Sequence, residues 1–189
     1  ILVTKANLEK SGNKAIAVIA NSKNANTCNA DGVEKADKMC ELVANELNIP
    51  KEQVIVASTG VIGQVLPIEP IEKAVPVLVK ELDYGKNEEA STAIMTTDTI
   101  KKEYAVEFEI GGVKCTLGGM AKGSGMIHPN MATTLNFITS DCAVSSNMLQ
   151  KALSEIVKVT YNCLSVDGDT STNDMVSLMA VSYTHLTLP

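Results

Sequence analysis

The sequence predicts an α/β fold of the α+β type, in which mixed sheets carry helices packed on their faces. Three observations predict it. Between residues 15 and 57 an apolar run, an amphipathic helix and a second apolar run follow one another. Two alternating segments meet at Gly111-Gly112. A further strand, helix and strand succession begins at Leu135. Crossover and hairpin connections thus share a chain of 189 residues, which is one domain, or a domain and a piece, and long enough to bury a sizeable core.

Ala15-Ile16-Ala17-Val18-Ile19-Ala20 is a continuous apolar run of strand length, followed by the turn-rich loop Asn21-Ser22-Lys23-Asn24-Ala25-Asn26. Asp31 three residues before Glu34 marks a helix start. Val33, Ala36, Cys40, Val43 and Leu47 continue at helical spacing until Asn48 and Pro50. Val54-Ile55-Val56-Ala57 is a second buried strand, parallel to the first by a crossover, and runs into Ser58-Thr59-Gly60-Val61-Ile62-Gly63. Ile71, Val75, Leu78 and Leu82 mark another helix, which either kinks at Pro76 or begins near it. Ala93-Ile94-Met95 is expected as a short strand before the polar run Thr96 to Thr99.

Tyr104, Val106, Phe108 and Ile110 alternate with polar or small residues. Val113, Cys115 and Leu117 do so beyond Gly111-Gly112, which makes a hairpin with a tight glycine turn. Residues Gly118 to Asn130 are expected as a glycine-rich loop. Leu135-Asn136-Phe137-Ile138 reads as a strand. Ser146 or Asn147 caps a helix carrying Leu149, Leu153, Ile156 and Val159. Cys163 to Val166 is expected as a further strand. Asp167 to Asp174 is a polar turn leading into a helix capped by Thr172 or Asn173. The sequence contains no internal repeat and no low-complexity linker.

Composition narrows the function. Hydrophobic residues make up 45% and charged residues 20% of the chain, a globular balance. With no Trp, two Phe and four Tyr there are too few aromatics for a stacking surface, and the net charge of −6 opposes a phosphate-binding face. Nucleic acid is therefore not an expected partner. Neither is a membrane, because no apolar run reaches spanning length and the opening residues are no signal peptide. The first residue is Ile1, so the chain is expected to be a fragment or processed upstream. Five unclustered cysteines and two histidines speak against structural zinc; free thiols fit a reducing cytoplasm. No metal is expected.

The glycine-rich stretch is neither a P-loop nor a dinucleotide fingerprint, because no Gly-Lys-Ser/Thr and no helix-opening G-x-G-x-x-G occur. Spacing alone favours a plain connection, although Lys122 among glycines suits a carboxylate as a point charge. Asp167-Gly168-Asp169 is no calcium loop, since Thr172 and Leu178 stand where Gly and Glu are needed. Ser58-Thr59-Gly60 could present backbone N–H groups as an oxyanion hole, or be a plain turn. Thr133 has no acid or base near it in sequence. A threonine hydroxyl becomes a nucleophile when chain cleavage frees its own α-amine to act as base. Nothing local distinguishes Thr133 from an ordinary strand residue.

The stretch Lys122 to Thr133 strongly resembles the self-cleavage segment of the ornithine acetyltransferases, the glutamate N-acetyltransferase family of arginine biosynthesis. Ala57 to Gly63, Ile94 to Thr99 and Val166 to Asp174 resemble the same family in the same order, and the resemblance covers about residues 1 to 180. It implies a self-processing fold of the N-terminal-nucleophile-like kind. Cleavage between Ala132 and Thr133 would give an α-chain segment, 1–132, and the start of a β chain, 133–180. Thr133 would take the acetyl group from N-acetylornithine and pass it to glutamate. Thr59 and Gly60 resemble the oxyanion-hole pair, and Thr99, Lys122 and Thr133 the substrate-binding positions. No cofactor is implied; acetyl-CoA is a substrate of some members. The full-length assembly implied is a heterotetramer of two α and two β chains.

Three departures are visible. Lys23 stands where the family usually has Gly. The family chain is longer at both ends, so further substrate-binding residues are expected outside this sequence. Residues 181–189 do not resemble the family's continuation and are expected to be an artefact. Two other readings follow: an inactive truncated α/β fragment, and an N-terminal-nucleophile peptidase with the same processing.

Overall fold

The structure is a computed structural model and describes residues 1–126 and 134–180. The chain forms two compact units that divide between Thr96 and Thr97. The expected division at Ala132-Thr133 is one of covalent processing and lies outside the described residues. Mixed sheets with helices, the expected fold class, are present in the described residues.

The first unit is built on the expected crossover. Strand β1 (Ala17–Asn21) and strand β2 (Val54–Ser58) pair in parallel, Ile19 opposite Val56, with two helices before and between them: α1 (Leu2–Lys10) and α2 (Gly32–Leu47). Helix α2 stops at Asn48, which takes the left-handed conformation at φ 53° ahead of Pro50. Its core face carries Met39, Cys40, Val43 and Ala44, whereas Val33 is exposed. Asp31 occupies the N-cap position without a side-chain cap bond. Helix α3 (Glu69–Lys80) runs through Pro76 and has Pro70 in its first turn, where a missing N–H costs nothing; a start at Pro76 is excluded. Val75, fully packed, and Ile71 and Val79 hold it on the core of β1, β2 and α2, which compensates for the bond lost at Pro76.

Helix α1 was not legible in the sequence, because two of its three buried residues are polar. Thr4 Oγ1 donates to Val56 O (2.8 Å) and accepts from Val56 N–H (3.1 Å), while Asn7 Nδ2 donates to Val54 O (3.1 Å). These side chains occupy the edge of β2 that β1 leaves open, so backbone groups there are satisfied without a third strand. The expected strand at Ala93-Ile94-Met95 is instead the end of helix α4 (Asn87–Ala93), with Ile94 buried just beyond it.

The second unit is a four-stranded sheet in the order β3-β4-β5-β6. Strands β3 (Lys102–Ile110) and β4 (Val113–Lys122) form the expected hairpin, and Gly111 and Gly112 both take positive φ, 57° and 79°, as a two-residue turn of this hand requires. The glycine-rich loop is shorter than expected. Gly118 to Lys122 belong to β4; Gly118 to Ala121 pair on one side with β3 and, together with Lys122, on the other with β5 (Leu135–Ser140), and pairing on both edges holds glycines in a strand. Helix α5 (Ser146–Val159) is capped by Ser145, one residue earlier than expected, whose hydroxyl accepts from Met148 N–H.

Two expectations fail after α5. Cys163 to Val166 is not a strand: Tyr161–Cys163 is a 3-10 turn, and Leu164 and Val166 are exposed, with no sheet to receive them. Beyond the Asp167 turn the chain enters strand β6 (Met175–Ala180), parallel to β5, rather than a helix. Sheet pairing outweighs the cap signal of Thr172 and Asn173. A parallel pair needs a crossover, and α5 supplies it.

Candidate functional site

In the first unit, the loops after β1 and β2 lock together. Thr59 N–H donates to Asn21 O, Val61 N–H to Lys23 O and Ala25 N–H to Val61 O, each at 3.0 Å. Asn21 Nδ2 donates to Asn24 O (2.8 Å) and Asn24 Nδ2 to Gln64 O (3.0 Å). Gly60 sits at φ 131°, and a Cβ there would lie 2.1 Å from the Lys23 carbonyl carbon, so only glycine fits. The amide of Thr59 is committed to Asn21. The Gly60 N–H makes no hydrogen bond among the described residues.

Lys23 itself adopts φ 74°. This explains the glycine expected there: the loop needs a left-handed residue to bring its carbonyl to Val61, and a lysine takes that conformation at a cost of about 1 kcal/mol.

In the second unit, Lys122 ends β4 and is buried. Burial lowers the pKa of its ammonium, Asp98 and Asp174 oppose that shift, and Lys102 adds to it. Asp98, whose side chain is 1% exposed, accepts from Lys102 Nζ at 2.5 Å and from Gly123 N–H at 2.7 Å. Thr99 and Lys122 are therefore the immediate neighbours of a hydrogen-bonded pair, Asp98 and Gly123. Thr99 is exposed.

Further along the same loop, Asp167 Oδ2 accepts from Met126 N–H at 2.5 Å, and Thr97 and Ser124 hydroxyls meet at 2.7 Å. On the far side of residues 127–133, Thr134 N–H donates to the Asp174 carboxylate and Thr134 O accepts from Met175 N–H at 3.0 Å. Three aspartates, Asp98, Asp167 and Asp174, thus grip the backbone at both ends of the segment that contains Ala132 and Thr133. Asp174 is pushed up to about 7 by burial, which Lys122 and the Thr134 N–H only partly offset.

Of the residues expected at the site, Thr59 and Gly60 lie in the first unit and Thr99 and Lys122 in the second. Ala132 and Thr133 lie outside the described residues. The sequence reading assigned no role to Asp98, Asp167 or Asp174, although all three stand in the stretches that carry the resemblance. Asn136 was missed too. The signal for it was a polar residue inside the apolar strand Leu135-Asn136-Phe137-Ile138, and it is fully buried there.

The model of the ArgJ family matches residues 1–186. The chain is 47% identical over 181 residues to the arginine biosynthesis bifunctional protein ArgJ of Staphylococcus aureus, covering 95% of this chain and 44% of that protein. It is 54% identical over 169 residues to the arginine biosynthesis bifunctional protein ArgJ 1 of Clostridium acetobutylicum, covering 87% and 40%. The chain therefore spans less than half the length of these curated relatives. Among solved structures it resembles ArgJ of Bacillus halodurans (34% identity, TM-score 0.59) and the ornithine acetyltransferase of Mycobacterium tuberculosis complexed with ornithine (33%, TM-score 0.59), each over 68% of both chains. Among the described residues no helix is long and apolar enough to cross a membrane.

Proposed function

The chain belongs to the ArgJ family, and on that premise we propose that the full-length protein moves an acetyl group from N-acetylornithine to glutamate through an acetyl-threonine at Thr133. One observation carries the reading furthest: carboxylates of Asp98, Asp167 and Asp174 hold Gly123, Met126 and Thr134 around the segment in which cleavage is expected. Holding the flanks of a peptide bond in place is what an intramolecular attack on that bond requires.

In this reading Thr133 Oγ attacks the Ala132 carbonyl, the acyl group passes from nitrogen to oxygen, and water hydrolyses the ester. Ala132 is left as a carboxylate and Thr133 with a free α-amine. That amine then takes the hydroxyl proton as Oγ attacks the acetyl carbonyl of N-acetylornithine. The Thr59 hydroxyl and the Gly60 N–H donate to the oxyanion, and ornithine departs with the proton. The amine of glutamate attacks the acetyl-threonine and restores the hydroxyl. Lys122 supplies the cation and Thr99 a hydroxyl for the substrate carboxylate. No cofactor is required; acetyl-CoA is an alternative acetyl donor. The working assembly is two α and two β chains in the cytoplasm.

The test is an assay of the full-length protein for acetyl transfer from N-acetylornithine to glutamate, run beside an assay for peptide hydrolysis. Transfer with a trapped acetyl group on Thr133 supports the proposal. Peptide hydrolysis without transfer would turn the reading to a self-processed peptidase.

A further inference from the structure

We propose that Cys115 and Cys142 are a peroxide-responsive thiol pair, which closes into a reversible disulfide that staples β4 to the end of β5. This pair stands apart from the acetyl-transfer reading and needs none of its steps.

The five cysteines are scattered along the sequence, and the fold brings two of them together. Strands β4 and β5 are antiparallel, with Leu117 opposite Ser140. The register carries on one residue past the end of β5. Asp141 N–H donates to Thr116 O at 3.4 Å, and Asp141 Oδ1 accepts from Thr116 N–H at 2.7 Å. Ser140 Oγ donates to the same Thr116 carbonyl at 2.8 Å. The next opposed residues are Cys115 and Cys142, and their thiols are in hydrogen-bonding contact.

The backbone bond from Asp141 to Thr116 marks that pair as the hydrogen-bonded position of the ladder. The cysteines therefore stand at the non-bonded position, where side chains are closer and Cα atoms lie about 4.5 Å apart. A disulfide spans roughly 4.4–6.8 Å between Cα atoms, so one is within reach of this register. Cys142 N–H fits the position, because it turns to Ser140 Oγ at 3.1 Å rather than to β4. Cys115 is also held from its other side, opposite Phe108 of β3.

Both members of the pair are buried, with 2% and 4% of their surface exposed, whereas Cys28 and Cys163 are exposed. Burial above all, and then the Cys142 thiol and Asp141, hold the Cys115 thiol above its ordinary pKa. Covered and largely protonated, the pair resists bulky disulfides, and the oxidant that reaches it is a small one such as hydrogen peroxide. One sulfur, as its thiolate, attacks a peroxide oxygen. An S–O bond forms, the O–O bond breaks, and the departing hydroxide takes up a proton to become water. The second sulfur then attacks the sulfenic sulfur. The S–S bond forms, the S–O bond breaks, and a second water leaves with the thiol proton. Two thiols lose two electrons, and one peroxide becomes two waters. A dithiol reductant reverses the bond.

Peptide mapping of the full-length protein tests this. Exposed thiols are first blocked with iodoacetamide under native conditions, and hydrogen peroxide is then added. The non-reduced digest should contain a cross-linked species joining the Cys115 and Cys142 peptides, and dithiothreitol should abolish it. The Cys142→Ser protein should instead gain oxygen at Cys115, because no second thiol resolves the sulfenic acid. Cys142→Ala serves if the serine variant does not fold. Both cysteines recovered as thiols, or each oxidised singly without a link, overturns the inference. A disulfide from either one to another cysteine overturns it as well.

Discussion

Asp98 accepts the Gly123 amide at 2.7 Å, and by this bond the loop before β3 is fastened to the residue next to Lys122. The same oxygen accepts from Lys102. Gly123 is buried, so removing the acceptor strands its N–H. Asp98→Ala should cost about 1–3 kcal/mol in denaturant unfolding of the full-length protein, and Asp98→Asn, which keeps an acceptor, distinctly less. Equal losses in the two variants would mean that the Gly123 bond contributes little.

The turn in the first unit gives a pair of opposed outcomes. Gly60→Ala places a carbon against the Lys23 backbone and should destabilise by about 3 kcal/mol or more. Lys23→Gly relieves a left-handed lysine and should stabilise by about 0.5–1 kcal/mol. Thermal unfolding of the two variants, side by side, checks both signs.

In the proposed mechanism Thr59 contributes its hydroxyl, its amide being committed to Asn21. Thr59→Val keeps the shape of the side chain and removes that donor. It should lower kcat for acetyl transfer by about 10²–10³, with KM little changed. A variant with wild-type kcat would remove Thr59 from the oxyanion site.

Asp174 makes stability pH-dependent in the uncut protein. Its folded pKa of about 7 lies above the ordinary carboxylate value of 3.8, so the folded state favours the protonated form. The stabilisation is fully present below the unfolded value and is lost as pH rises through about 7. In the Thr133→Ala background, Asp174→Asn should therefore raise Tm at about pH 8 by roughly 2–5 °C, and the gain should vanish as the pH falls toward 4. Melting curves across that range measure it; a gain independent of pH would mean that ionisation of Asp174 is not the cause.

Much of the fold was legible because its signals are periodic. The apolar runs of β1 and β2, the helical spacing of α2 and the alternation about Gly111-Gly112 each mark a buried face directly. Helix α1 was hidden because it buries Thr4 and Asn7, whose value lies in the strand edge they satisfy, a partner some fifty residues away. Strand β6 was hidden by the turn and cap residues before it, since only pairing with β5 decides its state. The site divides the same way. Glycine at 60 and the misfit lysine at 23 follow from local backbone geometry. The grip of Asp98, Asp167 and Asp174 on backbone 25 to 41 residues distant, or across a strand pair, has no local signature.

The central claim is that the bond between Ala132 and Thr133 is cut by Thr133 itself. Intact-mass measurement of the purified full-length protein, beside its Thr133→Ala variant, tests it most directly. The wild type should appear as two chains whose second begins at Thr133, and the variant as one uncut chain. A single uncut mass for an active wild type, or a cut Thr133→Ala variant, would contradict the account.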